Sequence, residues 1–104
     1  MPFVLRFVQR YKPAEREAFM KLEAEFDAME KRRADMPKGR RSQPYAGREA
    51  TNTLIWECEF PTLEAAQEAL EHMGADSEHE SLYRQQVPYF EEAYTEIYEV
   101  LDLQ

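Results

Sequence analysis

Two segments of this chain alternate like β-strands yet carry apolar groups on both of their faces. That double requirement limits the fold more than any other feature of the sequence. In residues 3–11, Phe3, Leu5 and Phe7 share one face, while Val4, Arg6, Val8 and Arg10 share the other. In residues 51–60, Leu54, Trp56, Cys58 and Phe60 oppose Thr53, Ile55, Glu57 and Glu59 in the same way. The more apolar face of each strand requires a layer of helices. The second face is too apolar to be left bare and calls for another cover.

The helices are legible between the strands. Pro13 opens one, and Phe19, Leu22, Phe26 and Met29 follow at spacings of 3, 4 and 3, a single apolar stripe. Glu15 and Glu17 near its start and Lys31, Arg32 and Arg33 near its end suit the helix dipole, and Pro37 and Gly39 finish it. Arg41 to Arg48 reads as a short irregular edge strand, weakened by Pro44 and Gly47. After Pro61, Thr62 can cap a helix bearing Leu63, Ala66, Leu70 and Met73, with Gly74 ending it in a left-handed turn. Ser77-Glu78-His79-Glu80 has the form of a capping box opening a third helix, with Leu82, Tyr83 and Val87 as its buried side before Pro88. Residues 94–103 close the chain as a strand.

The order is therefore β-α-β-β-α-α-β. It predicts a single α+β domain over residues 1–104: a ferredoxin-like, four-stranded antiparallel sheet with helices on one face and the first and third strands side by side. On the other face Arg6 and Arg10 of one strand would meet Glu57 or Glu59 of its neighbour. The same face of a second subunit is the simplest cover for it, so a two-fold homodimer through the sheet is expected.

Composition narrows the partners. Apolar residues make up 43 % of the chain, enough for a core. No apolar run approaches the ~18 residues of a membrane span and no basic-then-apolar leader opens the sequence, so a cytoplasmic protein off the membrane is expected. Cys58 alone excludes an internal disulfide. The net charge is −8, split between residues 1–48, with 12 basic and 7 acidic groups, and residues 49–104, with Arg84 alone against 14 acids. Nucleic acid is a poor partner for such a chain. Its opposite halves favour self-association. The one basic stretch, through Lys31, Arg32, Arg33, Lys38, Arg40, Arg41 and Arg48, is either a helix end with a solvated loop or an anion-binding rim.

The strand order, Trp56-Glu57 in the third strand and the helix Leu63-Glu64-Ala65-Ala66-Gln67-Glu68-Ala69-Leu70 resemble the dimeric α/β-barrel superfamily. Leu5-Arg6 running into Tyr11-Lys12-Pro13 is similar to the start of NIPSNAP-like chains. The stretch from Glu71-His72 to Glu78-His79-Glu80-Ser81-Leu82-Tyr83 is similar to the helix-loop-helix of antibiotic-biosynthesis monooxygenase-like domains. The resemblance implies paired ferredoxin-like subunits, each with a pocket between sheet and helices. It implies either cofactor-independent oxidation or isomerisation of a small organic compound, or a non-catalytic ligand-binding or assembly module. The haem-degrading branch of the superfamily uses an Asn on the first strand, a Trp on the third and a His on the next helix. Trp56 matches, but the first strand has no Asn and His72 and His79 fall too late, so no cofactor is expected.

Each candidate residue has two readings. Trp56 is core or the wall of a pocket for a flat ligand, to which Tyr83, Tyr94 and Tyr98 would add hydroxyls. His72 and His79 titrate nearest neutrality and are candidate catalytic bases, or else solvated surface groups among acids. Arg6 and Arg10 bind a substrate carboxylate or phosphate, or are tied up with Glu57 and Glu59. Cys58 reads as a small buried hydrophobe. No His–carboxylate spacing forms a metal site, and no nucleophile triad or phosphate-cradling loop is present.

Overall fold

Periodicity in the sequence becomes a four-stranded sheet with three helices on one side in the computed structural model, which describes all residues from Met1 to Gln104. The strands are β1 (Phe3–Tyr11), β2 (Arg40–Ser42), β3 (Thr53–Phe60) and β4 (Phe90–Glu99). The helices are α1 (Arg16–Arg32), α2 (Leu63–Ala75) and α3 (Ser77–Gln86), with short 3-10 turns at Pro13–Glu15 and Val87–Tyr89. The sheet order is β2-β3-β1-β4 and every pairing is antiparallel. This is the expected ferredoxin-like architecture. No helix is long and apolar enough to cross a membrane.

The register places Leu5 opposite Cys58 and Phe7 opposite Trp56, so the apolar rows of β1 and β3 coincide beneath the helices. There Leu5 and Trp56 pack with Phe26, Met29, Met36 and Met73, and Tyr11 and Leu54 pack with Phe19. The predicted stripe of α1 is buried throughout, and Thr62 caps α2 by accepting from the Ala65 backbone N–H at 3.1 Å.

Five local expectations are corrected. The edge strand is Arg40–Ser42, ending before Pro44. Gly74 lies within α2, which ends at Asp76 in an extended conformation with no left-handed residue. Asp76, not Ser77, caps α3: its carboxylate accepts from the His79 N–H at 3.0 Å, and a charged acceptor serves a helix N-terminus well. The buried residue of α3 is Gln86, while Tyr83 and Val87 are exposed. Finally, β4 spans Phe90–Glu99 rather than 94–103, because it pairs with β1 and β1 runs out at Phe3, opposite Glu99.

The open face also differs from expectation. Val8 is 2 % exposed and Ile55 9 % in the single chain. Tyr94, the β4 neighbour of Val8, donates from its hydroxyl to Glu49 at 2.6 Å, and Asn52 donates to the Tyr11 carbonyl and to Glu91. These bonds tie the segment between β2 and β3 to the sheet beside both residues, so Val8 and Ile55 need no second subunit for their burial.

Candidate functional site

The helices cover β3 and β1 but leave Ala93 and Thr95 of β4 exposed on the same side. A cavity of about 290 Å³ lies between this part of the sheet and the helices. Phe7 and Trp56 line it from the sheet, Phe26 from α1, Leu70 and Met73 from α2, and His79 and Tyr83 from α3. Phe7 and Trp56 are stacked, with centroids 4.8 Å apart and planes 16° from parallel. Trp56 is thus core, at 3 % exposed, and also part of the cavity wall.

The Trp56 ring is fixed from two directions. Its Nε1–H donates to Glu30 Oε1 at 3.3 Å, and the chain entering β2 passes tightly against the indole edge at Gly39. A Cβ on Gly39 would stand 1.8 Å from Trp56 Nε1, so glycine is required for this approach. Gly39 N–H also donates to Glu30, at 3.1 Å.

Glu30 belongs to a buried ionic cluster on the cavity wall. Arg41 of β2 donates from Nε to Glu23 at 2.6 Å, from Nη1 to Asp27 and Glu30 at 3.2 Å each, and from Nη2 to Glu30 at 2.6 Å. Burial alone would push the Arg41 guanidinium down, but its bonds and charge contacts with Glu30 and Glu23 outweigh that and hold it above its usual value. Gln86, fully buried, donates to the other oxygen of Glu23 at 2.9 Å. Acids at 23, 27 and 30 sit one turn apart beside the apolar stripe of α1, a pattern visible in the sequence. Their common partner came from the basic stretch and was not legible there.

His79 is half-buried and lies edge-on to Phe26, with centroids 5.0 Å apart. Its backbone N–H is bound by Asp76, and its ring nitrogens make no hydrogen bond within the chain. Burial pushes its pKa below the ordinary 6.5, against the opposing charges of Asp76, Glu30 and Glu80. The ring is therefore neutral at physiological pH and presents a free lone pair.

The other sequence candidates lie elsewhere. His72 is on the outer surface, with Nε2 3.0 Å from an Asp35 oxygen, and does not line the cavity. Tyr83 is at the cavity and 40 % exposed. Arg6, Arg10 and Tyr98 occupy the open face, across the sheet from the cavity. Arg6 lies 3.3 Å from Glu57 and 3.1 Å from Glu96, with its guanidinium 5.2 Å from the centre of the Tyr98 ring. Arg10, whose β3 neighbour is the uncharged Thr53, pairs instead with Glu92 at 3.0 Å. Both arginines are thus occupied by carboxylates of their own chain.

Most of the basic stretch is paired as well. Arg33 bridges Asp35, Asp76 and Glu78, Arg32 pairs with Glu78, Arg40 with Glu57 and Lys31 with Asp27. Lys38 donates to the Arg33 and Met36 carbonyls. Much of the positive charge of the first half is thus paired within the chain, while most acids of the second half stay free of cations. Cys58 is half-buried, and its thiol is pushed up by burial and by the charges of Glu30 and Glu59, which keeps it protonated and inert. No cluster of three His, Cys, Asp or Glu side chains is arranged to hold a metal ion.

No protein-family model and no curated protein matches the sequence. Solved structures do match. A NIPSNAP family protein from Agrobacterium tumefaciens superposes with a TM-score of 0.78 at 13 % identity, covering 98 % of this chain and 95 % of that one. A NIPSNAP domain protein from Burkholderia xenovorans gives 0.76 at 15 % identity, covering 95 % and 94 %. An antibiotic biosynthesis monooxygenase-like protein from Caulobacter crescentus gives 0.76 at 12 % identity, covering 97 % and 91 %. The resemblance seen in the sequence is thus present in three dimensions over nearly the full chain, and at this identity it establishes the fold.

Proposed function

We propose that this chain binds a small organic compound in the cavity between sheet and helices and that His79 takes a proton from it, in a cofactor-independent oxygenation or isomerisation. The observation that carries the reading is the His79 ring: neutral, without a partner in the chain, and set against a cavity walled by Phe7, Phe26, Trp56 and Tyr83. A general base needs its lone pair free and its pKa near or below the working pH. Of the carboxylates on this wall, Glu23 and Glu30 are already engaged by Arg41, Gln86, Trp56 and Gly39, and Glu80 is paired with Arg84. The cavity volume, about 290 Å³, is at the small end for ligand sites and suits a compound of one or two rings. His79 is the catalytic residue of this reading, Trp56 and Tyr83 hold the ring, and His72 has no part in it.

The test is a screen of small aromatic compounds for oxygen uptake or isomerisation, with wild-type protein and His79→Gln side by side. Loss of about 10²-fold or more in the variant is the expected result for a general base. Equal rates would overturn the role of His79. Binding without turnover in the wild type would make the protein a non-catalytic ligand-binding module, the reading left if the cavity is used for recognition alone.

The same proposal includes assembly as a homodimer through the open face. Val4 and the half-exposed Tyr98 remain there beside rows of opposite charge, Arg6, Arg10 and Arg40 against Glu57, Glu59, Glu92 and Glu96. A two-fold axis can lay such rows against each other. Native mass spectrometry should give the mass of two chains, and a single chain at micromolar concentration would overturn the dimer.

A further inference from the structure

We infer that the cavity selects an organic cation, an aromatic ring carrying an ammonium or similar nitrogen cation, and rejects the corresponding carboxylate. This rests on the cavity being the ligand site, and adds to that reading the charge of the ligand.

The inference follows from which charges at the cavity are already spent. Arg41 is the one permanent cation on the wall, and its Nε, Nη1 and Nη2 all donate to carboxylates, those of Glu23, Asp27 and Glu30. It has no face left for an incoming anion. The N-terminus of α3, another common anion site, is filled by the Asp76 carboxylate, which accepts the His79 N–H. His79 itself is neutral and supplies a lone pair. Against one cation the wall carries Glu23, Glu30 and Glu80. An anionic ligand would meet an excess of negative charge in a half-enclosed, poorly screened space and find no free cation to bind.

A cation meets the reverse. Glu80 is the wall carboxylate held most loosely, bonded at 2.7 Å only to Arg84, whose side chain is largely in solvent. It lines the same cavity as His79 and can exchange that surface arginine for a ligand ammonium. The aromatic walls add the attraction of ring faces for positive charge, which strengthens as water is excluded. The ring of the ligand would lie along the apolar side formed by Phe7, Phe26 and Met73, with its charged end toward Glu80.

Trp56 is the only tryptophan, so its fluorescence reports on the cavity directly. The full chain is titrated at pH 8 with 2-phenylethylammonium, 2-phenylethanol and 3-phenylpropanoate, which share a ring and differ in charge. The ammonium compound should bind at least ten-fold more tightly than the carboxylate. Glu80→Gln should weaken the ammonium several-fold and leave the alcohol unchanged. Binding of the carboxylate as tightly as the ammonium, or an ammonium affinity indifferent to Glu80→Gln, would overturn the charge inference. If the alcohol still bound in those cases, the cavity reading would stand alone. If none of the three moved the Trp56 fluorescence or the His79 ring resonances, both would fall.

Discussion

The two faces of one sheet hold similar ion pairs in opposite settings. Under the helices, Arg41 and its partners Glu23 and Glu30 have side chains only 17, 8 and 9 % exposed. On the open face Arg6 and Glu57 are each 25 % exposed, and Arg10 and Glu92 are 36 and 53 %. Water screens the second set and weakens each contact to a fraction of a kilocalorie. The first set is largely shielded from water, so every charge depends on its neighbours and the whole cluster is held in place. A fixed cluster is what a cavity wall needs, because it holds Trp56 and β2 in one position. A face of loose pairs can instead re-form against a second surface.

Breaking the buried cluster should have the largest effect. Arg41→Met leaves Glu23 and Glu30 without their counter-charge in a dry site and should cost about 3–5 kcal/mol, read from urea unfolding. A loss below about 1 kcal/mol would mean that water reaches these carboxylates and that the two faces are alike. Gly39→Ala comes next. Its Cβ would stand 1.8 Å from Trp56 Nε1, so β2 or the indole must move. A loss of about 1–3 kcal/mol, together with changed Trp56 fluorescence, is expected.

On the open face the effects should be smaller. Tyr94→Phe removes the bond to Glu49 and should cost less than about 1 kcal/mol, yet hasten proteolysis within residues 43–52. The Glu49 bond pushes the Tyr94 hydroxyl up to about 12, because ionising it would set two negative charges side by side. The folded pKa exceeds the unfolded value of 10, so this contribution is complete below pH 10 and is lost as the pH rises through about 12. The alkaline limb of the wild-type stability curve should therefore flatten in the variant. Arg10→Ala should be smallest, under about 0.5 kcal/mol, and should vanish in high salt. A larger, salt-resistant loss confined to high protein concentration would show Arg10 buried between subunits.

How far the site was legible depended on whether a residue's role rests on its own segment. Trp56 and Phe7 share a face by strand alternation, and that alone foretold a helix-side aromatic wall. His72 and His79 were equivalent in the sequence, each beside an acid. What separates them is Asp76, which ends α2 and starts α3 in a new direction, so that His72 points to Asp35 at the surface and His79 to Phe26. The reading of Ser77 as the cap missed that turn by one residue. Arg6 and Arg10 share the face opposite Trp56, and Arg6 meets Glu57 of β3 as alternation expects, but Arg10 meets Glu92 of β4, in a stretch ahead of the expected strand start at residue 94. With Phe90 as its first residue, Glu92 falls opposite Arg10.

By itself the sequence determined the order of strands and helices, the sheet's two unlike faces and the ferredoxin-like arrangement, because spacings of two and of three to four residues are local and survive without knowledge of the fold. Tertiary structure decided what meets across the helix layer: that Arg41, one cation in a basic run, lies between Glu23 and Glu30, that Gly39 passes the indole edge, and that His79 alone keeps a free ring at the cavity. The physical reason is that burial and charge pairing depend on groups many residues apart, and only the packed chain settles which charges are already spent.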